Sequence, residues 1–333
     1  MSNRYASVHT NPQGPGDARP TAVQIIQDEN LFGELTGKVA LITGTSSGIG
    51  IETALALKAA GMHVFGAVRN IPKATEALGT HISPGKLELL ELDMTSLASV
   101  RACAQDFLRK SSKLHILITN AGIMMPPHTL TKDGFESQFG VNHLAHFLLF
   151  QLLAPTLLAS ASPVFPARVV VLSSAGHRNH ALDLSDLNFQ KREYDPVAAY
   201  AQSKLAGIYM ANSIERRFAS RHLHGLSVMP GGIWTGLQAN LPAEVVQGWK
   251  GDEGFMRAFK SAEQGAATTV WGAVGKELEG RGGVYLEDCG VAELAVEEGN
   301  LGLPGYGEWA FDEEREEGLW EVSCGMVGVG GVE

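Results

Sequence analysis

Two side chains with complementary acid–base chemistry, Tyr200 and Lys204, lie four residues apart. The segment 195–206 begins with Asp-Pro and continues with several alanines, which predicts a helix with both side chains on one face. A phenol with a reference pKa of about 10 exchanges protons poorly at neutral pH, whereas a neighbouring ammonium favours the phenolate and lowers that pKa. The pair therefore predicts a general acid or base. Such a pair also arises by accident on the surface of amphipathic helices.

The elements that must position this pair alternate between strand and helix patterns. Apolar runs typical of buried parallel strands occur at 38–43, 63–68, 87–93, 114–119, 168–172, 226–229 and 283–286. Helical patterns separate most of them. The sequence therefore predicts a single α/β domain built on a doubly wound, parallel, seven-stranded sheet with helices on both faces.

A glycine-rich turn, containing Gly44, Gly48 and Gly50, follows the first strand and leads into a helix. This arrangement is typical of a dinucleotide diphosphate site, although a lone glycine loop is also found in ordinary turns. About 20 residues further on, where an NAD enzyme places an acid, stand Val68 and Arg69. Because a guanidinium binds a 2′-phosphate that a carboxylate would repel, Arg69 predicts NADP(H). The alternative is a solvated cation at the end of a strand.

Other polar residues follow strands or interrupt apolar helices. Ser173 and Ser174 precede His177, but the glycine-flanked nucleophile turn of a hydrolase is absent, so a ligand-binding hydroxyl at the strand end is favoured. Within the apolar pattern at 134–158, the amide of Asn142 needs hydrogen-bond partners if it is buried. His143 and His146 have no acidic or cysteine partner at a metal-ligand spacing. Packed or capping histidines are therefore favoured, and no metal is predicted.

The composition excludes several other classes of function. With 26 basic and 36 acidic residues, the net charge of −10 gives no general attraction to nucleic acid or anionic lipid. Three well-separated cysteines fit a reducing compartment. Residues 1–20 lack the apolar region of a signal peptide, and no apolar run approaches the roughly 18 residues of a membrane span. We therefore expect a cytoplasmic protein with neither a membrane anchor nor a nucleic-acid partner.

Taken in order, the motifs resemble those of the short-chain dehydrogenase/reductase family over residues 36–323. They are Thr43-Gly44 through Gly50, Asn120-Ala121-Gly122, Ser174, Tyr200 with Lys204, and Pro230-Gly231. The segments 141–144, 199–206 and 319–323 are similar to the branch of retinol dehydrogenases and WW-domain oxidoreductases. The resemblance implies a Rossmann-type domain at 36–323 with a variable substrate loop at about 233–260. Residues 1–35 precede this domain, and the Gly- and Pro-containing composition of residues 1–20 predicts a disordered or loosely attached arm within this partly disordered extension. Residues 324–333 are expected to form a flexible tail.

The resemblance also implies a catalytic tetrad of Asn142, Ser174, Tyr200 and Lys204. In reduction, Tyr200 gives a proton to a carbonyl oxygen that Ser174 hydrogen-bonds, while nicotinamide supplies hydride to the carbon. Lys204 holds the nicotinamide ribose and lowers the tyrosine's pKa, and Asn142 completes a proton path through water. The implied cofactor-binding residues are Gly44, Ser46, Ser47, Gly48, Ile49, Gly50, Arg69, Asp93, Met94, Asn120, Ala121, Gly122, Tyr200, Lys204, Pro230, Gly231, Ile233 and Thr235.

The sequence thus predicts an NADP(H)-dependent carbonyl reductase or alcohol dehydrogenase for a small lipophilic ketone, aldehyde or alcohol. Apolar residues in the substrate loop, including Trp249 and Phe255, and the pair Met124 and Met125 are candidates for the pocket. A non-redox isomerase or cyclase of secondary metabolism and a cofactor-sensing binding protein are the alternatives. A homodimer through the helices that carry Asn142 and Tyr200 is expected for the family, although this branch also includes monomers.

Overall fold

The computed structural model describes residues 4–297 and 300–332, and a mostly parallel sheet organises them. Its strands are β1 Val39–Thr43, β2 His63–Val68, β3 Leu87–Glu91, β4 Ile116–Thr119, β5 Ala167–Leu172, β6 Leu223–Met229, β7 Val284–Glu287 and β8 Gly290–Val291. The strand order is β3-β2-β1-β4-β5-β6-β7-β8, which confirms the predicted doubly wound fold. The seven expected strands are parallel, and β8 adds a short antiparallel edge. Strand β8 was not predicted, because its two residues are too few to give a strand pattern in the sequence.

Helices cover both faces of this sheet. They are α1 Ala6–His9, α2 Ala22–Asp28, α3 Ile49–Ala59, α4 Ile71–Leu78, α5 Leu97–Lys110, α6 Ser137–Phe139, α7 Ala145–Ser160, α8 Pro196–Phe218, α9 Ala243–Gly251, α10 Glu253–Ala258, α11 Ala262–Gly265, α12 Ala267–Val274 and α13 Glu313–Val327. Along β1, Leu41 packs into the core under α5, α7, α8 and α13, whereas Ala40 and Ile42 pack under α2, α3 and α12. Continuous apolar strands are therefore required, because successive side chains enter opposite cores.

The apolar segment Ser137–Ser160 comprises α6, a π-helical turn at Gly140–Leu144 and α7. By length and composition it is the one described segment that passes for a membrane span, but 67% of its most apolar window is buried inside the protein. It is a core helix. The π-helical turn carries Asn142, and such turns often occur at functional sites.

Helix α13 packs across α7 and α8, the two helices expected to form a dimer. The ring of Trp320 meets that of Phe147 edge-on at 5.0 Å, and Asn212 Nδ2 donates to Glu316 Oε1 at 2.7 Å. A dimer through this face would have to displace α13. The structure contains a single chain, and the homodimer stays a prediction. The predicted flexible tail at 324–333 is also more ordered than expected. Helix α13 continues to Val327, and Val332 N donates to Gln151 Oε1 at 2.8 Å.

The N-terminal extension differs most from the sequence-based expectation. Residues 4–20, which we call the N-terminal arm, pack against the domain. Tyr5 Oη donates to Asp28 Oδ2 at 2.8 Å, and Arg19 donates to the carbonyls of Ala258 and Phe259 at 2.8 and 2.6 Å. These last partners lie about 240 positions away in the chain, and the polar, glycine- and proline-rich composition of the arm gives no sign of them. The domain boundaries themselves stay a prediction.

Candidate active site

A cleft of about 1550 Å³ runs along the edge where the parallel strands end. The strand order sets its layout, since the loops after β2 and β3 lie at one end, those after β4 and β5 in the middle, and those after β6 and β7 at the other end. The predicted residues that line it are Gly44, Ser46, Ser47, Gly48, Ile49, Arg69, Asp93, Met94, Asn120, Ala121, Gly122, Ser174, Tyr200, Lys204, Pro230, Gly231, Ile233 and Thr235. Two predicted residues, Gly50 and Asn142, lie behind its wall.

Helix α8 presents the tyrosine and lysine to this cleft, as predicted. Pro196 occupies its first turn, where the missing N–H costs nothing, and the Asp195 carboxylate caps it by accepting from Val197 N at 2.8 Å. Tyr200 and Lys204 are 5% and 6% exposed. Lys204 Nζ donates to the carbonyl of Leu172 at 3.1 Å and lies 5.7 Å from the centre of the Tyr200 ring. Both groups are thus fixed in a largely dry site.

The structure separates the roles of the two adjacent serines. Ser173 Oγ donates to the Lys204 carbonyl at 2.9 Å and is buried, so it fastens β5 to α8. Ser174 lines the cleft, accepts from Gly176 N at 3.1 Å and lies close enough to Tyr200 to act on the pKa of its phenol. A Cβ on Gly176 would lie 3.0 Å from Tyr200 Cε1. The absence of a side chain there leaves room for the tyrosine ring.

The electrostatics of Tyr200 differ from the sequence-based expectation. Burial raises the pKa of its phenol to about 12, and the hydrogen bond from Ser174 acts in the opposite direction. Burial also lowers the pKa of Lys204 to about 8. The expected lowering of the tyrosine pKa is wrong for the protein alone, because desolvation outweighs the lowering by Ser174, and Lys204 Nζ donates instead to the Leu172 carbonyl. Tyr200 is therefore protonated at neutral pH, as a general acid must be.

Asn142 supports the site from below the cleft wall. Its Oδ1 accepts from Ile123 N at 2.9 Å, and its Nδ2 donates to Ile123 O at 3.0 Å and to Ser203 Oγ at 2.9 Å. Both ends of the amide are thus engaged with protein groups, and they fix the backbone that follows Gly122. A proton path from Asn142 through water stays a prediction.

The two neighbouring histidines occupy hydrogen-bonded positions in the core. His143 Nε2 bonds Ser323 Oγ at 2.8 Å. His146 lies between Thr43 Oγ1, 2.9 Å from its Nε2, and the Asn142 carbonyl, 3.0 Å from its Nδ1. Thr43 Oγ1 in turn accepts from the N–H groups of Asn120 and Ala121, so its proton goes to Nε2 and His146 donates from Nδ1. Burial lowers the pKa of His146 to about 4, and the neutral ring joins β1, β4 and the π-helical turn.

The glycine loop fits a dinucleotide diphosphate. Gly44 and Gly48 have φ of +79° and +58°, a backbone region that favours glycine, and α3 begins at Ile49 with its free N–H groups at the cleft. A Cβ on Gly50 would lie 2.3 Å from the Gly44 carbonyl oxygen, so this glycine allows the tight turn without touching a ligand. Asn120 Oδ1 is buried beside the loop without a partner in the described residues. The residues of the glycine loop and the start of α3 therefore fit a dinucleotide diphosphate.

The family of the chain follows from comparison with known proteins. The family model of short chain dehydrogenases matches residues 38–245. The chain belongs to the short-chain dehydrogenase/reductase family. It is 48% identical over 324 residues to the short-chain dehydrogenase/reductase prx1 of Penicillium roqueforti, covering 97% of this chain and 95% of that one.

Two human relatives confirm the predicted branch. The chain is 39% identical over 301 residues to the WW domain-containing oxidoreductase, covering 85% of this chain and 69% of that one. It is 38% identical over 312 residues to polyprenol dehydrogenase, covering 90% and 88%. Members of this family are oxidoreductases that bind a nicotinamide cofactor.

At one end of the cleft, the dehydrogenase/reductase carries two exposed cations. Arg69 follows β2, and Lys73 lies four residues later in the first turn of α4. Sequence reasoning missed Lys73, although its spacing from Arg69 is that of one helical turn. Beside them, Asp93 accepts from Lys132 Nζ and Thr95 Oγ1, each at 2.8 Å. Burial acts to raise the pKa of Asp93, but these bonds outweigh it and hold the pKa below its usual value.

At the other end, the cleft is mostly apolar. The predicted pocket residues Met124, Met125, Trp249 and Phe255 line it. From the same substrate loop, Leu237 also lines the cleft, whereas Trp234 stacks on Phe259 with 5.0 Å between the ring centres. The C-terminal segment adds further apolar residues, none of them predicted from the sequence: Leu294, Val296, Leu301, Leu303 and Pro304. A few polar residues missed from the sequence also face the cleft here, namely His9, Lys260, Glu287 and Asp288.

Proposed function

We propose that this protein is an NADP(H)-dependent reductase of lipophilic ketones or aldehydes, which also catalyses the reverse oxidation of the alcohol, with Tyr200 as the general acid or base. The observation that carries the proposal is the continuity of one cleft. A glycine loop suited to a diphosphate, with two cations nearby, lies at one end of the cleft. Tyr200 and Ser174 lie together in the middle, and apolar walls lie at the other end. The name of polyprenol dehydrogenase indicates that one relative acts on a lipophilic alcohol.

The preference for NADP(H) over NAD(H) rests on the end of β2. Arg69 and Lys73 line the cleft there, and both are exposed. A 2′-phosphate attracts such cations, whereas the acid that would bind ribose hydroxyls is absent from positions 68–70. This arrangement favours the phosphorylated cofactor.

The proposed chemistry divides between cofactor and protein. A bound nicotinamide supplies or accepts the hydride. In reduction, the protonated phenol of Tyr200 donates to the carbonyl oxygen, and Ser174 Oγ hydrogen-bonds the same oxygen as negative charge develops on it. Lys204, a cation below pH 8, lies 5.7 Å from the centre of the Tyr200 ring, where it would bind ribose hydroxyls and stabilise the phenolate.

The test is NADPH absorbance with a panel of lipophilic ketones and aldehydes, repeated with NADH. We expect turnover with NADPH at a lower KM than with NADH. Arg69→Ala should remove most of this preference, while Arg109→Ala, an exposed site remote from the cleft, should keep it. An unchanged preference in Arg69→Ala would refute the cofactor assignment. Substrate conversion without NADPH consumption would instead support the isomerase or cyclase, and tight NADPH binding without any conversion would support the sensor.

We also place the enzyme in the cytoplasm. Its three cysteines, Cys103, Cys289 and Cys324, are free thiols. Burial raises the pKa of the first two to about 12, which keeps them protonated and unreactive. Free thiols support a reducing compartment.

A further inference from the structure

The N-terminal arm forms part of the wall of the cleft, although it lies outside residues 38–245, which the family model matches. Ala6, His9, Thr10 and Pro12 all line the cleft, on the side of β6 and β7. Arg19 holds the arm against the end of the substrate loop through the carbonyls of Ala258 and Phe259. The arm therefore closes the cleft at the end opposite Arg69.

A half-buried ion pair lies beneath this part of the arm, because the Asp288 side chain is 35% exposed. Lys260 Nζ, whose side chain is 4% exposed, donates to Asp288 Oδ1 at 2.7 Å and to the Pro230 carbonyl at 3.3 Å. A Cβ on Gly231 would lie 2.9 Å from Lys260 Cδ, so the lysine packs directly against the Pro230–Gly231 wall. From the arm, His9 Nε2 reaches to 3.6 Å from Asp288 Oδ1.

The backbone around Asp288 is strained. Asp288 and Cys289 form the turn between β7 and β8 with φ of 52° and 54°, values that glycine or asparagine usually supplies in such a hairpin. The Lys260 ion pair and a hydrogen bond from Cys289 N to Thr268 Oγ1 at 3.1 Å hold this conformation. Strained turns of this kind concentrate at ligand sites. This turn places two consecutive carboxylates, Glu287 and Asp288, at the cleft.

Hydrogen-bond acceptors dominate among the polar side chains that meet at this turn. Glu287 Oε2 accepts from Gly305 N at 2.7 Å, while its Oε1 has no partner among the residues that the structure describes, and Asp288 Oδ2 is likewise unpaired there. Burial lowers the pKa of His9, and in the neutral ring Nδ1, which lies 2.9 Å from the Tyr5 carbonyl, carries the proton while Nε2 is a further acceptor. The N–H groups of Lys260 are mostly engaged. Burial raises the pKa of Glu287 to about 7, whereas at Asp288 burial is outweighed by the charge of Lys260, which holds the pKa of that carboxyl below its usual value. Asp288 is thus the charged acceptor, and a hydrogen-bond donor is the group that this corner lacks.

We propose that His9, Glu287 and Asp288 form a subsite for a substrate hydroxyl remote from the reacting carbonyl, with the N-terminal arm as its outer wall. The inference rests on the proposed carbonyl reduction and narrows its substrate class. Ser174 follows β5 and Glu287 ends β7, two strands away in the sheet. Two strand spacings amount to about 10 Å. The fitting substrate is a lipophilic ketone of bicyclic size with a hydroxyl at its far end.

The test compares two probe ketones, 4-(4-hydroxycyclohexyl)cyclohexanone and the parent 4-cyclohexylcyclohexanone, which differ only in the distant hydroxyl. Binding to the complex of the full chain with NADPH is measured by calorimetry, and turnover by NADPH absorbance. We expect the hydroxylated probe to bind about tenfold more tightly, the usual effect of a hydrogen bond to a charged acceptor. His9→Phe, which keeps the ring volume, and Glu287→Gln should each remove most of this difference and leave NADPH affinity unchanged.

The exposed His81 provides the matched control, since His81→Phe should keep the full difference. Thermal unfolding of each variant identifies any that fail to fold. Because His9→Phe and Glu287→Gln lie on separate segments, misfolding of one variant leaves the other as a valid test. Equal binding of the two probes by the wild type, or an undiminished difference in both folded variants, overturns the subsite. Absence of NADPH oxidation with either probe and with the wider carbonyl panel counts against the proposed reductase, and the subsite is then decided by binding alone.

Discussion

Replacement of Gly176 by alanine tests the position of Tyr200 without altering any reacting group. The new Cβ would lie 3.0 Å from Tyr200 Cε1 and 3.2 Å from Cδ1, whereas carbon atoms in favourable contact lie about 3.5–4.0 Å apart. The ring would have to move by about 0.5–1 Å. Because a misplacement of about 1 Å can cost about 100-fold in rate, we expect kcat to fall about tenfold to 100-fold.

The assay is steady-state NADPH oxidation with a saturating ketone, together with NADPH affinity from protein fluorescence. The affinity should hold, because the diphosphate loop and the Arg69 end of the cleft are untouched. Gly325→Ala is the control, since no atom lies within 4 Å of a Cβ at that exposed position in α13 and kcat should be unaffected. If Gly176→Ala keeps wild-type kcat, the ring of Tyr200 is not the group whose position limits the reaction.

Three further predictions concern the cofactor, the lysine and the buried histidine. Lys73→Ala should raise the KM for NADPH about fivefold, as expected for loss of one exposed charge contact, with little effect on NADH; equal effects on both would remove Lys73 from the phosphate site. Reductase kcat should fall as pH rises through about 8, because Lys204 loses the charge that stabilises the phenolate, and a rate that stays flat to pH 10 would contradict this role. His146→Leu should lower the free energy of unfolding by about 2 kcal/mol, since Thr43 and the Asn142 carbonyl each lose a buried partner, and denaturant titration showing no loss would refute that account.

The parts of the site that the sequence predicts are those specified by short spacings. Tyr200 and Lys204 are one helical turn apart, and Gly44, Gly48 and Gly50 are confined to one turn. Such patterns need only the local backbone to be read correctly. The position of Ser174 follows from the rule that parallel strands present ligand sites at their carboxyl ends. The same rule applied to β7 would have found Glu287.

The remaining features depend on contacts between distant segments. Arg19 binds the carbonyl of Ala258, 239 positions away in the chain. Because the composition of the arm does not show this contact, the composition alone predicts disorder. All residues of the π-helical turn around Asn142 and most of those in α7 are buried. The sequence therefore has no apolar period there that the extra residue of the turn could shift. The raised pKa of Tyr200 reflects burial by several elements at once, whereas the sequence shows only its lysine neighbour. Tertiary burial therefore decides the protonation of this group.

The most direct test of the account follows a deuterium label. NADPH that carries deuterium at the transferable position of nicotinamide C4 is incubated with a ketone substrate, and the product is analysed by mass spectrometry and NMR. We predict deuterium on the carbinol carbon, in amounts equal to the NADPH consumed, and loss of this product in Tyr200→Phe while NADPH still binds. A product free of deuterium, formed without NADPH consumption, or labelled product formed at the normal rate by Tyr200→Phe, would contradict hydride transfer assisted by Tyr200.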